Sequence, residues 1–508
     1  MRLASRAECQ EIDRRSQSEY SIPADILMEA AGTAAFMAIR QSFAKELSRA
    51  RNGSATVAVV CGPGNNGGDG LVVAKLLHSA GTSGVQIITV GPYEKRSPLF
   101  ELQLARCEKI GIPDFEFPSV EASESLKRAV LIVDAIFGVG IRGEVLDPYR
   151  SVIAEINRSH VPVVSLDAPS GLDVDRGVKC GVAVKADLTL TFGVAKRGFY
   201  VADGPSLTGL VKVLPIGFPL KLVREIASKA KLFTESAARE LLPRRKSRTH
   251  KSNYGHSLIV AGSAGMWGAG ILSATAAYRV GSGYVTLASH EDLKAVIARE
   301  PEILTANAHD ERLWSAPRWT AAAIGPGLGV SEHTEELLRR LLASGCPHVV
   351  VDADAITVAA RSGMFPLPHT WILTPHAGEL SRILGISAQE IEADRFLAAQ
   401  KAVEHTGCIV LLKGFRTIVA KDSYAWVIDS GNAALAKAGT GDVLTGMIVG
   451  LLAQGLKPMQ AAATAAYVHG RLADEWVGSG RSQSSLVAKD LYERLPGLLA
   501  ELTGGKRP

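Results

Sequence analysis

Short apolar runs recur along the whole chain, and longer segments with helical periodicity separate them. Uninterrupted apolar runs are typical of parallel strands that are buried on both faces. When such strands alternate with helices, they form parallel sheets covered by helices, which predicts an α/β protein. The predicted strands are 56–60, 85–90, 130–133 and 161–166 in the first half, and 257–261, 284–288, 321–324, 348–351, 371–373 and 409–412 in the second. The predicted helices include 70–79, 269–280 and 335–343.

The length of 508 residues exceeds what one hydrophobic core supports and predicts at least two domains. Each half begins with a strand that runs into a glycine-rich loop, Gly62-Pro-Gly-Asn-Asn-Gly-Gly-Asp-Gly70 in the first and Gly262-Ser-Ala-Gly-Met-Trp-Gly-Ala-Gly270 in the second. Between the halves, Pro215 and Pro219 precede a short helical piece and a basic run. We therefore expect one domain over residues 1–218, a linker over 219–230 and a second domain over 231–508.

The charge balance gives little support to nucleic-acid binding. The net charge of +5 arises from 56 basic and 51 acidic residues, so the two signs nearly cancel. The densest basic run consists of Arg244, Arg245, Lys246, Arg248 and Lys251 and has no interleaved aromatic residues. A basic run of this kind favours a solvated surface over a nucleic-acid footprint.

Cysteine spacing and hydropathy indicate the compartment. The six cysteines are scattered without a CxxC pair, so neither a zinc site nor a disulfide framework is predicted, and a reducing compartment is expected. The first residues lack the apolar stretch of a signal peptide, and no apolar run is long enough to span a bilayer. We expect a cytoplasmic protein that does not contact a membrane.

The glycine-rich loop of the first half lies between a predicted strand and a predicted helix. Glycines at this junction allow backbone N–H groups to approach a phosphate, and a helix N-terminus favours an anion. The loop is neither a G-x-G-x-x-G fingerprint nor a P-loop, because no Gly-Lys-Ser/Thr follows. The structural alternative is a tight turn in which Asp69 caps the helix.

Two further polar clusters of the first half begin at strand ends, Asp134-Ala-Ile-Phe-Gly-Val-Gly140 and Asp167-Ala-Pro-Ser-Gly-Leu-Asp173. Ligands of open α/β sheets bind outside the carboxyl ends of the strands, so we expect these clusters and the glycine-rich loop to meet in one crevice. Carboxylate, amide and hydroxyl oxygens that meet there suit a hard cation.

In the second half, Ala438-Gly-Thr-Gly-Asp442 leads into an apolar helix. Successive N–H groups at a helix start form an anion hole for a transferred phosphoryl group. An aspartate held there can accept the proton of an attacking hydroxyl. The alternative is that Asp442 is an ordinary acidic residue of a first helical turn.

Three other polar loops of the second half also follow strands: Gly325-Pro-Gly-Leu-Gly329, Thr374-Pro-His-Ala-Gly-Glu379 and Lys413-Gly-Phe-Arg-Thr417. Together with the Asp442 loop they predict a substrate crevice. His376 lies beside Glu379 in a glycine-bounded loop, which favours ligand contact over a structural role. Lys413 follows a buried strand and can pair with nucleotide phosphates.

Residues 1–218 resemble the NAD(P)H-hydrate epimerase family in the order and spacing of four blocks: Asn65-Asn-Gly-Gly-Asp69, Asp134-Ala-Ile-Phe-Gly138, Asp167-Ala-Pro-Ser-Gly171 and Val184-Lys-Ala-Asp-Leu-Thr-Leu-Thr-Phe-Gly193. The resemblance implies a Rossmann-like three-layer αβα domain in which Asp167 moves a proton during epimerisation. It implies a potassium site formed by Asn66, Asp134 and Ser170. It also implies that the hydrated dinucleotide contacts Asn65, Asn66, Gly67, Gly68, Asp69, Gly138, Val139, Gly140, Ile141, Arg142, Gly143, Glu144 and Asp167. Ala30, Val139 and Ala168 depart from the residues common in the family, and none of these departures removes a proposed ligand.

Residues 231–503 resemble the ribokinase-like NAD(P)H-hydrate dehydratase family, again a three-layer αβα fold, through the four loops above and through His250-Lys-Ser-Asn-Tyr-Gly255, Gly265-Met-Trp-Gly-Ala269 and Arg299-Glu-Pro-Glu302. The resemblance implies that Ala269, Gly327, His376 and Asp442 contact the hydrated dinucleotide. It also implies that Lys413, Gly414, Phe415, Arg416, Thr417 and Gly441 bind the adenine nucleotide, with ADP preferred to ATP. Lys437 is a departure, because a small or hydroxyl residue is usual at that position.

The two resemblances together imply repair of hydrated NADH and NADPH. The first domain interconverts the R and S hydrates. In the second domain Asp442 activates the ring hydroxyl, ADP phosphorylates it, Mg²⁺ neutralises the nucleotide phosphates, and phosphate then leaves by elimination. We also expect a homo-oligomer.

Two other functions are compatible with these residues. The second domain can be a small-molecule kinase, which forms a stable phosphorylated product. The first domain can be a non-catalytic binding or scaffold module. A simple dehydrogenase is disfavoured, because the G-x-G-x-x-G fingerprint with a downstream acid for the ribose is absent from the sequence.

Overall fold

The computed structural model of the protein describes residues 1–51, 55–289, 299–315 and 319–504. The chain forms two compact units. The N-terminal unit comprises Arg2–Ala230, and the C-terminal unit comprises Met1 and Lys231–Pro508.

The N-terminal unit contains nine strands and nine α-helices in its described part. The strands are β1 (Arg2–Ala4), β2 (Thr56–Cys61), β3 (Val85–Val90), β4 (Asp114–Phe117), β5 (Ala129–Ala135), β6 (Val163–Leu166), β7 (Leu188–Phe192), β8 (Ala195–Lys196) and β9 (Leu210–Leu214). The helices are Arg6–Tyr20, Ala24–Ser42, Ala44–Ala50, Asn65–Ser79, Pro98–Lys109, Val120–Lys127, Tyr149–Arg158, Gly204–Thr208 and Leu220–Ile226. Short 3₁₀ turns lie at Tyr93–Lys95 and Arg197–Tyr200.

Seven of these strands form a parallel sheet in the order β4-β3-β2-β5-β6-β7-β9. Alternate residues of the central strand face opposite sides. Val57 and Val59 belong to the hydrophobic core that packs against Ala24–Ser42, whereas Ala58 and Val60 belong to the core that packs against Tyr149–Arg158. The N-terminal unit is therefore a three-layer αβα sandwich, as predicted.

Two predicted elements of this unit differ from the structure at their starts. The helix predicted from residue 70 begins at Asn65, so the Asn-Asn-Gly-Gly-Asp block forms its first turns rather than a preceding loop. The strand predicted from residue 161 begins at Val163. Pro162 lacks an N–H for the ladder, and its carbonyl only accepts a hydrogen bond from Ile132 at 3.0 Å.

In the C-terminal unit the described strands are β10 (Ala230–Phe233), β11 (His256–Val260), β12 (Tyr284–Ser289), β13 (Leu304–Asn307), β14 (Ala321–Ile324), β15 (Val349–Val351), β16 (Ile372–Leu373), β17 (Ile409–Leu412), β18 (Ile418–Lys421) and β19 (Tyr424–Ile428). The described helices are Glu235–Leu241, Trp267–Val280, Glu311–Ser315, Glu332–Ala343, Ala353–Arg361, Ala377–Leu384, Ala388–Ala393, Arg395–Thr406, Thr440–Ala453, Pro458–Gly478 and Ala488–Leu502. Short 3₁₀ turns lie at Lys251–Tyr254, Ala433–Leu435 and Gln483–Ser485.

The sheet of this unit runs β13-β12-β11-β14-β15-β16-β17-β18-β19-β10. Strands β11 to β17 pair in parallel, and β18 and β19 turn back antiparallel. One face of the sheet forms a large core with the helices Trp267–Val280, Thr440–Ala453 and Pro458–Gly478. The apolar helix after Asp442 is therefore buried on almost all sides, and the predicted α/β class holds here too. Among the described helices, none combines the length and apolar character that crossing a bilayer requires.

Candidate active sites

A cavity of about 870 Å³ opens in the N-terminal unit at the carboxyl ends of its central strands. Of the residues predicted from the sequence, Asn65, Asn66, Asp69, Gly138, Val139, Gly140, Ile141, Arg142, Glu144 and Asp167 line this cavity. Gly67 and Gly68 are buried in the helix Asn65–Ser79, and Gly143 lies outside the lining. Asp134 and Ser170 are fully buried beside the cavity rather than exposed to it.

Asp167 directly follows β6 and has a positive φ of 62°. This left-handed conformation is uncommon for residues with a side chain and is often found at functional sites. The carboxylate forms an ion pair with the buried ammonium of Lys196, and its Oδ1 also accepts the N–H of Phe192 at 3.3 Å. The ammonium donates in addition to the hydroxyl of Thr191 at 2.6 Å. Asp167 is thus held in one orientation at the edge of the cavity.

The glycine at position 138 allows two strand-end loops to approach each other. A Cβ at Gly138 would lie 3.1 Å from Oδ2 of Asp167 and 3.4 Å from Cγ of Asn66. Any side chain here would crowd both groups. The close approach explains why the loop after β5 needs glycine at this position.

Asp134, at the end of β5, accepts hydrogen bonds from four donors. Oδ2 accepts the hydroxyl of Ser165 at 2.7 Å and the backbone N–H of Ser170 at 2.9 Å. Oδ1 accepts the hydroxyl of Ser170 at 2.5 Å and the N–H of Ile136 at 3.3 Å. Burial raises the pKa of Asp134, and the hydrogen bonds from Ser170 and Ser165 oppose this shift.

The side-chain amide of Asn66, in the wall of this cavity, has unused hydrogen-bonding capacity. Its Oδ1 and Nδ2 atoms are both buried and have no hydrogen-bond partner among the residues that the structure describes. Leaving a buried amide unpaired costs on the order of 1–3 kcal/mol, which points to a ligand or ion that satisfies it.

Other titratable groups line the same cavity. Burial, reinforced by the negative charges of Asp167 and Asp13, raises the pKa of Asp69 well above its usual value. Burial also raises the pKa of the Cys9 thiol to about 12. Cys9 and Asp13 both come from the helix Arg6–Tyr20, so this helix closes one side of the cavity.

In the C-terminal unit, Lys413 connects three of the predicted loops. Its ammonium lies 2.9 Å from Oδ1 of Asp352 and 3.7 Å from Oε2 of Glu379. A Cβ at Gly441 would lie 3.8 Å from the same nitrogen. The loops at 374–379, 413–417 and 438–442 therefore meet around Lys413.

Asp352 follows β15 and is fully buried. Besides Lys413, its carboxylate accepts the hydroxyls of Thr374 at 2.7 Å and Thr445 at 2.6 Å. Burial alone would raise the pKa of Asp352, but Lys413 and these hydroxyls lower it below its usual value. The group is therefore a charged, fully hydrogen-bonded anchor for Lys413.

Asp442 lies in the first turn of the helix Thr440–Ala453, which begins after Gly439 in a left-handed conformation with φ of 89°. The N–H groups of a first turn have no partner within the helix, so they are available to an anion. Burial and the negative charge of Asp352 raise the pKa of Asp442 to about 7, against the opposing charge of Lys413. A carboxyl with this pKa suits proton transfer near neutrality.

His376 caps the helix Ala377–Leu384. Its Nδ1 accepts the N–H groups of Gly378 at 3.0 Å and Glu379 at 3.2 Å, so the proton of a neutral ring lies on Nε2. Glu379 in turn accepts the N–H of His376 at 2.9 Å. The side chain of His376 is nevertheless 57% exposed, so its Nε2 can reach a ligand.

Ala269 and Gly327 lie against each other, because a Cβ at Gly327 would be 3.0 Å from the Cβ of Ala269. The turn between β17 and β18 contains Gly414, Phe415, Arg416 and Thr417. On this turn the ring of Phe415 is 53% exposed, and Arg416 pairs with Asp429 at 2.5 Å. The ammonium of Lys437, the departure noted above, contacts the carbonyl of Ser484.

Three site residues were missed by the sequence reasoning. Asp352 comes directly after the buried strand β15, as Asp167 comes after β6, so the same rule applied to β15 would have found it. Lys196 carried a weaker signal, a lone lysine inside the buried segment Val194-Ala-Lys196. The third, His469, is buried in the helix Pro458–Gly478, and its Nε2 lies 2.9 Å from the carbonyl oxygen of Thr440. No sequence pattern singled it out.

Comparison with protein families gives two matches, one in each half of the chain. Residues 257–496 match the model described as NAD(P)H-hydrate dehydratase. Residues 24–198 match the model described as YjeF-related protein N-terminus. The C-terminal unit, whose loops bring Lys413 and Asp442 together, thus belongs to a class of enzymes that act on hydrated nicotinamide nucleotides.

Curated relatives cover both halves at once. The bifunctional NAD(P)H-hydrate repair enzyme Nnr of Moorella thermoacetica is 38% identical over 99% of this chain and 97% of its own length. The enzyme of the same name from Coxiella burnetii is 37% identical over 94% of each chain. The chain belongs to the family of bifunctional NAD(P)H-hydrate repair enzymes, and the family predicted from the sequence blocks is confirmed.

Among solved structures, a ribokinase-like superfamily protein from Enterococcus faecalis is 26% identical and aligns with a TM-score of 0.50. The alignment covers 54% of this chain and 96% of that protein. The predicted ribokinase-like fold of the C-terminal unit is therefore confirmed.

Proposed function

We propose that the N-terminal unit interconverts the R and S hydrates of NADH and NADPH, with Asp167 as the base. Asp167 lies in the cavity wall and is oriented by Lys196 through Oδ1, so its Oδ2 can accept a proton from the substrate and return it. Asn65, Asn66, Gly67, Gly68, Asp69 and the segment from Gly138 to Glu144 would bind the dinucleotide. The unpaired amide of Asn66 supports this, because a bound ligand or ion satisfies it.

We also propose a potassium site formed by Asn66, Asp134 and Ser170. The oxygen donors fit a hard cation, and Oδ1 of Asn66 is uncommitted. Asp134 would have to release one of its four donors to bind the ion directly. A potassium ion there would fix the loops after β2, β5 and β6 relative to one another. Crystals grown with a heavier analogue of potassium test the site, and anomalous scattering without a peak near Asn66 rejects it.

For the C-terminal unit we propose ADP-dependent dehydration of the S hydrate. Asp442 accepts the proton of the ring hydroxyl as that oxygen attacks the terminal phosphoryl group of ADP, and the bond from this phosphorus to AMP breaks. The ring C–O bond then breaks, phosphate leaves with the bonding electrons, and the adjacent ring carbon loses a proton as the double bond forms. Lys413, Gly414, Phe415, Arg416, Thr417 and Gly441 would hold ADP, while Ala269, Gly327 and His376 would hold the hydrate. Mg²⁺, when bound, would neutralise the nucleotide phosphates.

The main observation in support of the dehydratase activity is the position of Asp442. Its carboxyl has a pKa of about 7 and stands at a helix start whose N–H groups are open to an anion. An acceptor and an anion hole on one turn are what phosphoryl transfer to a hydroxyl needs.

The remaining expectations complete the proposal. We take residues 1–218 as the epimerase domain, 219–230 as a linker and 231–508 as the dehydratase domain. The protein would act in the cytoplasm as a homo-oligomer on small molecules, without nucleic-acid or membrane partners.

Chromatography of separated hydrate epimers tests the proposed function. The purified protein is incubated with each epimer of hydrated NADH and NADPH, in the presence of ADP, ATP or neither. Epimer exchange without nucleotide, and recovery of the reduced dinucleotide only with nucleotide, is the expected result. A stable phosphorylated product would instead identify a small-molecule kinase. Exchange no faster than the spontaneous rate would identify the N-terminal unit as a binding module.

A further inference from the structure

Three basic side chains line the cavity of the N-terminal unit: Lys95, Arg142 and Lys196. Lys196 is buried and paired with Asp167, so its charge is already balanced. Lys95 and Arg142 are exposed at the rim, and within the described ranges neither side chain has an ion pair. These two cations are therefore free to meet the phosphates of a dinucleotide.

An aromatic wall connects the region of Asp167 to Lys95. Phe137 precedes Gly138, the residue that lies against Asp167, and its ring packs against Tyr149 with centroids 4.7 Å apart. The hydroxyl of Tyr149 lies against Gly91, where a Cβ would be only 2.0 Å from the oxygen. Lys95 follows four residues later, on the turn Tyr93–Lys95 after β3. This series of contacts therefore connects the loop beside Asp167 to the segment that precedes Lys95.

Lys95 lies at the position in the fold where dinucleotide-binding proteins bind the adenosine ribose. In such sheets the strand after the glycine-loop helix ends near the ribose, where an acidic residue binds the 2′-hydroxyl of NAD or a basic residue accommodates the 2′-phosphate of NADP. Here β3 follows the helix Asn65–Ser79, and the cavity residue on the turn after it is a lysine.

We propose that Lys95 binds the 2′-phosphate of the substrate, so that the N-terminal site prefers the hydrate of NADPH to that of NADH. The inference rests on the proposed function, which places the nicotinamide ring at Asp167. The 2′-phosphate belongs to the adenosine half, at the far end of the dinucleotide. The diphosphate bridge lies between the two halves of the dinucleotide. Arg142, four residues from Gly138, binds this diphosphate.

The adjacent Arg96 is engaged within the protein. Its guanidinium lies 3.5 Å from Glu101 and stacks over the rings of Phe100 and Tyr93, at 5.5 and 5.0 Å from their centroids. Lys95 therefore supplies the free positive charge of this turn.

Steady-state epimer exchange with both hydrates tests the proposal in Lys95→Ala and Lys95→Arg. We expect Lys95→Ala to raise KM for the NADPH hydrate about tenfold or more, with kcat and the KM for the NADH hydrate unchanged. Lys95→Arg should retain the preference of the parent. Lys109→Ala, which removes an exposed lysine outside the cavity lining, is the matched control and should change neither KM.

Equal increases of KM for both hydrates in Lys95→Ala would place Lys95 at the diphosphate and overturn the proposal, as would no change for either. If the parent protein does not accelerate exchange, the proposed function fails, and calorimetry with NADP⁺ and NAD⁺ then replaces kinetics. A selective loss of NADP⁺ affinity in Lys95→Ala would still support the phosphate site, and unchanged affinities would reject it.

Discussion

The ammonium of Lys413 lies 2.9 Å from the carboxylate of Asp352, and this carboxylate is buried at the end of β15. Thr374 and Thr445 complete the hydrogen bonds of the carboxylate, so no water is needed to solvate it. Lys413 has two functions in consequence. It neutralises a buried charge, and it presents its own charge beside Gly441.

Removing Lys413 should therefore destabilise the protein as well as weaken nucleotide binding. Loss of one partner from a buried ion pair costs about 3–5 kcal/mol, because the other charge is left uncompensated. We expect Lys413→Met to lower the melting temperature of the C-terminal unit, measured by calorimetry. Lys437→Met removes an exposed lysine that contacts a carbonyl, and serves as the control. Equal melting temperatures for Lys413→Met and the parent would contradict the anchoring role of the pair.

The dehydration rate should depend on pH through Asp442. The base must be ionised, and its pKa of about 7 lies above the usual value for aspartate. We expect kcat/KM for the hydrate, at saturating ADP, to increase about tenfold per pH unit below pH 7 and to level off above it. A flat profile between about pH 5.5 and 8.5 would show that Asp442 is not the acceptor.

Asp442→Asn should separate the two activities. The amide cannot accept the proton of the ring hydroxyl, so ADP-dependent recovery of NADH should fall by about 10²–10⁴-fold. Epimer exchange should be unchanged, since the proposed base of that reaction lies in the N-terminal unit. Both rates are measured on the same preparation by chromatography. Parallel loss of both activities in a folded variant would argue against two separate sites.

Asp167→Asn is the reciprocal experiment. Exchange of the epimers should slow by about 10²–10⁴-fold, whereas dehydration of the S hydrate should remain near the parent rate. The substitution leaves Lys196 buried without its counter-charge, so circular dichroism must show that the variant folds. Exchange at the parent rate would place the base elsewhere.

His469 is expected to position the loop of Asp442 through its contact with the carbonyl of Thr440. Burial lowers the pKa of His469 to about 4, so the ring is neutral and can donate from Nε2. We expect His469→Ala to lower kcat for dehydration and His469→Gln, which retains a donor, to recover part of the loss. His369→Gln, at an exposed histidine, is the control. If the alanine and glutamine variants lose activity equally, the ring only fills space.

Much of this architecture was predictable because its causes are local. Continuous apolar runs identified the central strands, and the aspartates at the ends of β5 and β6 were found from the rule that parallel strands end at one edge. The helix start at Asn65 was missed because glycines disfavour helices in isolation. Here a Cβ at Gly67 would lie 1.9 Å from the carbonyl oxygen of Gly62, and a Cβ at Gly70 would lie 2.6 Å from the Cβ of Ala135, so these two positions need glycine.

The residues that the sequence did not reveal act through distant contacts. Lys196 reaches Asp167 across 29 positions, Asp352 reaches Lys413 across 61, and His469 reaches Thr440 across 29. Such pairs depend on strand order and helix packing, and a single sequence does not specify either directly. The pKa of Asp442 is also a product of assembly, since it arises from burial next to Asp352.

The state of the cysteines has a practical consequence for experiments on this protein. Cys9 lines the cavity of the N-terminal unit with a thiol pKa of about 12, and burial raises the pKa of the other five thiols as well. The thiolate is the nucleophile that reacts with thiol reagents, so the native cysteines should label slowly at neutral pH. A single cysteine introduced at an exposed position, such as Lys109 or Lys437, would then accept a fluorophore selectively. The natural sequence is in effect ready for site-specific labelling without first removing its own thiols.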